Sequence, residues 1–206
     1  RFVTIASHEF RTPLSTVLSS ASLITKYKTA EDDEKRLKHV GRIKSAVHNL
    51  TNILNDFLSI SRMEEGKIHN VPSTFDLQSF AAEVVDEMQG FLKEGQRISY
   101  RHEGEQNNVY LDKQLMRNVI INLLSNGSKY SGEDSTIWFK TDIKSDTVTL
   151  MVRDEGIGIP DEDKTHLFTP FFRAQNVTNI QGTGLGLNIV KKYVEIMGGE
   201  LRYESE

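Results

Sequence analysis

The stretch Asn122-Leu123-Leu124-Ser125-Asn126-Gly127-Ser128-Lys129-Tyr130 decides how the second half of the chain is read. Around it, Leu115, Val119, Ile120, Leu123 and Leu124 recur at helical spacing, which predicts a helix with one buried face from about Asp112 to Tyr130. Asn122 and Asn126 stand one turn apart and share a face of that helix. Two neutral amide oxygens there suit Mg²⁺, because they bind the ion without cancelling the charge that phosphates need. Lys129 offers a point charge to a phosphate, and Tyr130 an aromatic edge to a nucleoside. Taken alone, the pair reads equally well as two surface asparagines.

The segments downstream narrow the choice. Runs of β-type residues predict strands at Thr136 to Ile143 and Thr147 to Arg153, joined by Lys144-Ser145-Asp146. Asp154-Glu155-Gly156-Ile157-Gly158-Ile159-Pro160 follows the second strand directly. Its glycines let backbone approach a ligand, and Asp154 presents an acceptor suited to an adenine amino group, although a plain turn would look similar. Phe168-Thr169-Pro170-Phe171-Phe172-Arg173 precedes a polar, aperiodic segment from Ala174 to Gln181, readable as a lid or as a core aromatic cluster. Gly182-Thr183-Gly184-Leu185-Gly186-Leu187 opens a helix running to about Met197, so its amides and positive dipole end face phosphate oxygens. It lacks the Gly-Lys-Ser/Thr ending of a Walker loop.

Upstream, Asp76 caps an amphipathic helix through Leu92, short strands are expected at Arg97 to His102 and Asn108 to Leu111, and a closing strand is expected after Gly198-Gly199. Strands on one face and helices on the other make an α+β sandwich.

The first 66 residues follow another pattern. Leu37, Val40, Ile43, Val47, Leu50, Leu54, Phe57, Ile60 and Met63 form a coiled-coil-like seam, residues 1 to 28 are helical in pattern, and Thr29 to Asp33 supplies a polar turn. A helical hairpin this apolar leaves one side of each helix uncovered, and pairing two copies into a four-helix bundle hides it, so a homodimer is expected. In Ser7-His8-Glu9-Phe10-Arg11-Thr12-Pro13-Leu14, Pro13 costs the helix about 3 kcal/mol and frees a carbonyl near residue 9. Glu9 beside His8 can fix the imidazole tautomer that leaves a nucleophilic nitrogen. On their own these residues also fit a solvated helix histidine.

Residues 66 to 74 read as a Gly- and Pro-containing break, giving expected domains 1–66 and 75–206 around a hinge at 67–74. The net charge of −4 divides unevenly, with 10 Lys and Arg against 8 Asp and Glu in residues 1–66. Nothing in it suggests a nucleic-acid surface. No apolar run reaches transmembrane length, so any membrane attachment is expected through regions outside this sequence. The chain has no cysteine, which excludes disulfides and thiolate metal sites and fits the cytoplasm, the expected compartment. The opening residues look like a helix interior, which suggests a fragment.

These five ordered segments resemble the bacterial sensor histidine kinases of two-component systems, with a phosphoacceptor hairpin followed by an ATP-binding domain of the GHKL type. The resemblance implies that His8 takes the γ-phosphoryl group of ATP, that Glu9 acts as acid/base, and that Thr12 orients water for phosphatase activity on the partner. It implies Asn122 as the Mg²⁺ ligand, with Asn126 and Lys129 near the phosphates. Tyr130, Asp154, Gly156, Gly158 and Ile159 would hold the nucleoside, and Gly182, Thr183, Gly184, Leu185, Gly186 and Leu187 would shape the far end of the lid. Arg173 would be a phosphate contact, and a response regulator receiver domain the phosphoryl acceptor. Gly127 stands where the family usually has alanine, and the family's final strand is missing before Glu206. Two rivals remain: another ATPase of the wider fold, which would not need the His8 helix, and a non-catalytic dimeric scaffold.

Overall fold

A break at residues 25 to 29 divides the N-terminal part into two helices, α1 (Phe2–Ile24) and α2 (Asp33–Glu64), joined through a 3₁₀ turn at Ala30–Asp32. The computed structural model describes residues 2–104 and 106–205, without the side chains of residues 2–6, 8 and 30. Two compact units emerge, Arg1–Glu65 with Gln181–Thr183, and Gly66–Ile180 with Gly184–Glu206. In the first, Ile53, Phe57 and Ile60 are buried, and the Phe10 and Phe57 rings meet with centroids 6.0 Å apart. The buried His39 lies 3.3 Å from the Ser20 hydroxyl and stacks on Tyr27. The predicted single seam splits in two. Leu37 (70% exposed) and, less fully, Val40, Val47 and Leu54 face outward, as do Leu14 and Leu18 (71%) of α1.

The second unit begins with β1 (Ser73–Asp76), then α3 (Leu77–Gln89), β2 (Arg97–Gly104), β3 (Asn108–Leu111) and α4 (Lys113–Tyr130). It continues through β4 (Thr136–Lys144), β5 (Thr147–Arg153), a single turn α5 (Asp161–Lys164) and α6 (Gly186–Ile196). Strands β2, β4 and β5 form one sheet in that order, with β2 parallel and β5 antiparallel to β4, while β1 and β3 pair antiparallel in a small second sheet. Helices α3 and α4 bury Leu77, Phe80, Val84, Ile120 and Leu124 against Ile137 and Phe139 of β4. This is the helix-on-sheet sandwich that the alternation of patterns predicts.

Local chemistry fixes the element starts. Asp76 Oδ1 accepts the Ser79 N–H at 2.7 Å and begins α3, and Asp112 Oδ1 accepts from Gln114 and Leu115 and begins α4. The closing strand expected after Gly199 does not form among the described residues. Side chains hold that segment instead: the Tyr203 hydroxyl donates to the Lys164 carbonyl, the Ile159 N–H donates to the Ser205 hydroxyl, and Tyr203 packs edge-on against Phe168.

Candidate nucleotide site

Helix α4 carries the site. The side-chain amide of Asn122 donates to the Asn118 carbonyl at 2.9 Å, which turns Oδ1 away from its own helix. That oxygen meets the backbone where α6 begins: a Cβ on Gly186 would lie 2.8 Å from Asn122 Oδ1 and 3.7 Å from Asn126 Nδ2. A side chain there would displace the Asn122 amide, so with glycine a bare helix N-terminus and two amide side chains share one small space. A neutral amide oxygen beside backbone amides suited to phosphate fits the needs of Mg²⁺ bound together with a nucleotide.

Asp154, at the end of β5, accepts the Gly156 N–H at 2.8 Å through Oδ1 and is otherwise exposed. The loop then turns under Tyr130, since a Cβ on Gly156 would lie 2.9 Å from the Tyr130 carbonyl oxygen. Gly127, on the buried face of α4, would bring a Cβ within 3.1 Å of Ile137 Cγ2 and 3.6 Å of Asp154 Cβ. Its missing side chain lets α4 sit close against β4 and Asp154. The Lys129 ammonium lies 4.9 Å from the Tyr130 ring centroid. Burial pushes the Tyr130 hydroxyl above its ordinary pKa, with the Arg173 charge opposing, so these two residues are electrostatic neighbours.

From Asp154 to Leu185 the chain is mostly irregular, and side chains organise it. The Asn176 amide donates to the Gly158 carbonyl at 3.0 Å, the buried Asp163 accepts the Gln175 N–H, and Asn188 of α6 donates to the Phe168 carbonyl. Phe171 holds a φ of +63°, a costly conformation for an aromatic residue. Its N–H donates to the carbonyl of Gly184, where a Cβ would meet the Phe172 carbonyl at 2.6 Å. Phe168 to Arg173 therefore folds back on the glycine-rich turn.

Residues 1–66 match the family model described as His Kinase A (phospho-acceptor) domain, and residues 111–206 match that of the Histidine kinase-, DNA gyrase B-, and HSP90-like ATPase. The chain belongs to the two-component sensor histidine kinases.

Among its relatives, this histidine kinase is 32% identical to the autoinducer 2 sensor kinase/phosphatase LuxQ of Vibrio cholerae serotype O1, over 100% of its own length but 24% of LuxQ. It is 30% identical to the catalytic domain of the histidine kinase ThkA, covering 62% of this chain and 82% of that one with a TM-score of 0.52. The histidine kinase AdeS of Acinetobacter baumannii shares the fold over 97% of this chain and 91% of its own, with a TM-score of 0.67 at 24% identity. The chain thus spans a minor part of the curated relative LuxQ.

The chain distributes its predicted site residues between its two units. Asn122, Asn126, Lys129, Tyr130, Asp154, Gly156, Gly158, Ile159, Arg173, Gly184, Leu185, Gly186 and Leu187 belong to the second, while Glu9, Thr12, Gly182 and Thr183 belong to the first. The side chain of His8 lies outside the described residues. Helix α1 runs through Pro13, Glu9 is buried and Thr12 exposed. The carbonyl of Glu9, four residues before Pro13, accepts instead from the Gln181 side chain at 3.4 Å. The Thr183 hydroxyl donates to Asp56 at 3.0 Å. Arg173 donates to the carbonyls of Val177, Thr178 and Ile180, so it organises the backbone of the segment that follows it. Asn176, Asp163 and Asn188 went unnoticed in the sequence, because single polar residues bonding distant backbone leave no spacing to read.

Proposed function

We propose that this chain phosphorylates its own His8 with the γ-phosphoryl group of ATP and passes the group to an aspartate of a response regulator receiver domain. The observation that carries the reading is the meeting of Asn122 Oδ1 with Gly186 at the start of α6, a space that a side chain on residue 186 would take from the Asn122 amide. Asp154 would take the adenine amino group, Tyr130, Gly156, Gly158 and Ile159 the nucleoside, and Asn126, Lys129 and the amides of Gly184, Leu185, Gly186 and Leu187 the phosphates. Asn122 would hold Mg²⁺, which supplies charge neutralisation to the phosphates. Gly182, Thr183 and Arg173 would shape the lid.

In the transfer, an imidazole nitrogen of His8 bonds to the γ-phosphorus as the bond to the β-bridging oxygen breaks and ADP leaves. Glu9 accepts the proton from the other ring nitrogen. The domain division is 1–66 for phosphoacceptor and dimerisation, 67–74 for the hinge and 75–206 for catalysis. Outward-facing Leu14, Leu18 and Leu37 support a homodimer, in which two hairpins make a four-helix bundle. Use of ATP would put the reaction in the cytoplasm. Thr12 would position water for dephosphorylation of the regulator, an activity in keeping with the kinase/phosphatase LuxQ.

The test is incubation with γ-labelled ATP and Mg²⁺. The parent acquires label that is acid-labile and alkali-stable, and both His8→Gln and Asn122→Ala lose it. Label that survives His8→Gln overturns the assignment. Thr12→Ala keeps autophosphorylation and loses phosphatase activity.

A further inference from the structure

Helix α4 ends beside the nucleotide residues, and its last carbonyls are taken up in an unusual way. Ser131 N–H returns to the Gly127 carbonyl, as a helix end normally does. The next oxygens are claimed by two side chains from the loop between α3 and β2. The Lys93 ammonium donates to the Lys129 carbonyl at 2.8 Å and the Ser131 carbonyl at 2.6 Å. Gln96, 8% exposed, donates through Nε2 to the carbonyls of Ser128 at 3.0 Å and Gly132 at 2.7 Å. Its Oε1 accepts from the Ser128 hydroxyl at 2.6 Å and from the Lys93 N–H at 3.1 Å. The carbonyl omitted from this set, that of Tyr130, lies against Gly156 of the Asp154 loop.

We propose that Lys93 and Gln96 are positioning residues of the nucleotide site, clamping the end of α4 so that Lys129 and Tyr130 are presented at a fixed depth beside Asp154. The inference rests on α4 being the nucleotide helix. A helix C-terminus carries partial negative charge and frays readily. An ammonium and a buried amide that satisfy four successive or near-successive carbonyls remove both problems. The ordering of Lys129 and Tyr130 is then complete before ATP arrives, so binding does not have to supply it. Both clamp residues bond backbone carbonyls rather than the polar side chains assigned to the nucleotide, which separates their role from that of the residues they hold.

The test uses Lys93→Met, Gln96→Leu and Lys93→Arg in the whole chain, with two readouts. The first is amide hydrogen exchange over residues 127–132 without nucleotide. The second is the dependence of autophosphorylation rate on ATP. Lys93→Met and Gln96→Leu should speed exchange in that stretch and raise KM for ATP about five- to twentyfold with kcat within about twofold, the signature of lost binding. Lys93→Arg, which keeps a charged multiple donor, should restore most of the affinity. Unchanged exchange and an unchanged KM in folded Lys93→Met overturn the clamp, as does a lower urea midpoint with KM intact. A parent chain that binds no ATP sinks the functional reading instead, and the exchange measurement still decides whether these two side chains order the helix end.

Discussion

The Asp112 carboxylate joins the segment before β1 to helix α4: Oδ2 accepts the Val71 N–H at 2.8 Å while Oδ1 caps α4 through Gln114 and Leu115. The residue is buried. Asp112→Asn keeps one acceptor for the cap but turns an N–H₂ group toward the Val71 donor. It should destabilise the second unit by about 1–2 kcal/mol. Urea unfolding followed by Trp138, the single tryptophan, which lies in β4, measures this. A midpoint equal to that of the parent would show that the bond to Val71 contributes nothing.

Gly186→Ala tests the space shared by Asn122 and the start of α6. The added methyl would sit 2.8 Å from Asn122 Oδ1, at the tip of a side chain that can rotate away. Stability should change by less than about 1 kcal/mol, since alanine favours the helix, while ATP affinity falls at least about tenfold. Calorimetric titration with Mg²⁺ and a non-hydrolysable ATP analogue checks the split between folding and binding.

Gly127→Ala sets two effects against each other. Alanine in place of glycine gains up to about 1 kcal/mol of helix propensity, and overpacking against a core side chain costs about 1–3 kcal/mol. Ile137, the neighbour 3.1 Å away, is fully buried and has little room to yield. The expected result is a net loss near 1 kcal/mol by the same urea assay. A gain would mean that β4 gives way.

Leu18, 71% exposed in a single copy, should be covered in the dimer. Leu18→Glu would bury a charge there, so light scattering should report a dimeric parent and a monomeric variant at tens of micromolar, roughly the concentration where weak dimers separate.

Below about pH 4 a different residue comes into play. The Ser79 N–H, foremost among its neighbours, holds the Asp76 carboxyl below its ordinary pKa. A carboxylate depressed in the folded state stabilises it above the unfolded pKa, and that contribution disappears as pH falls through the folded value. Thermal unfolding between about pH 5 and pH 2 should therefore fall less steeply for Asp76→Asn, which caps without titrating.

These expectations draw on features of uneven legibility. Helix α4 and strands β4 and β5 could be read from periodicity, because Leu115 to Leu124 and the alternating residues of β5 record which side is buried. Strand β1 could not, since Ser73-Thr74-Phe75-Asp76 is too short for a pattern and exists through its ladder with β3. The hairpin seam was visible, but its division into inward Phe57 and Ile60 and outward Leu37 and Leu54, with the buried Ile53 outside the seam altogether, depends on neighbours that spacing does not name. In the candidate site, the glycines and asparagines stood out as residue types. Gln96 and Asn176 did not, because a lone amide serving remote carbonyls looks like any polar loop residue.

The parallel register that places Arg97 opposite Thr136 makes α4 the crossover between β2 and β4. Closing that long loop is entropically slow, and neither sheet edge rewards it until both strands are in place. The surface that would receive ATP is consequently assembled late, after the local helices and the β4–β5 hairpin. Nucleotide arriving during folding finds nothing to grip. Its effect falls on the opposite process: by occupying only the finished fold, ATP should lengthen the lifetime of the native state and leave the refolding rate nearly unchanged.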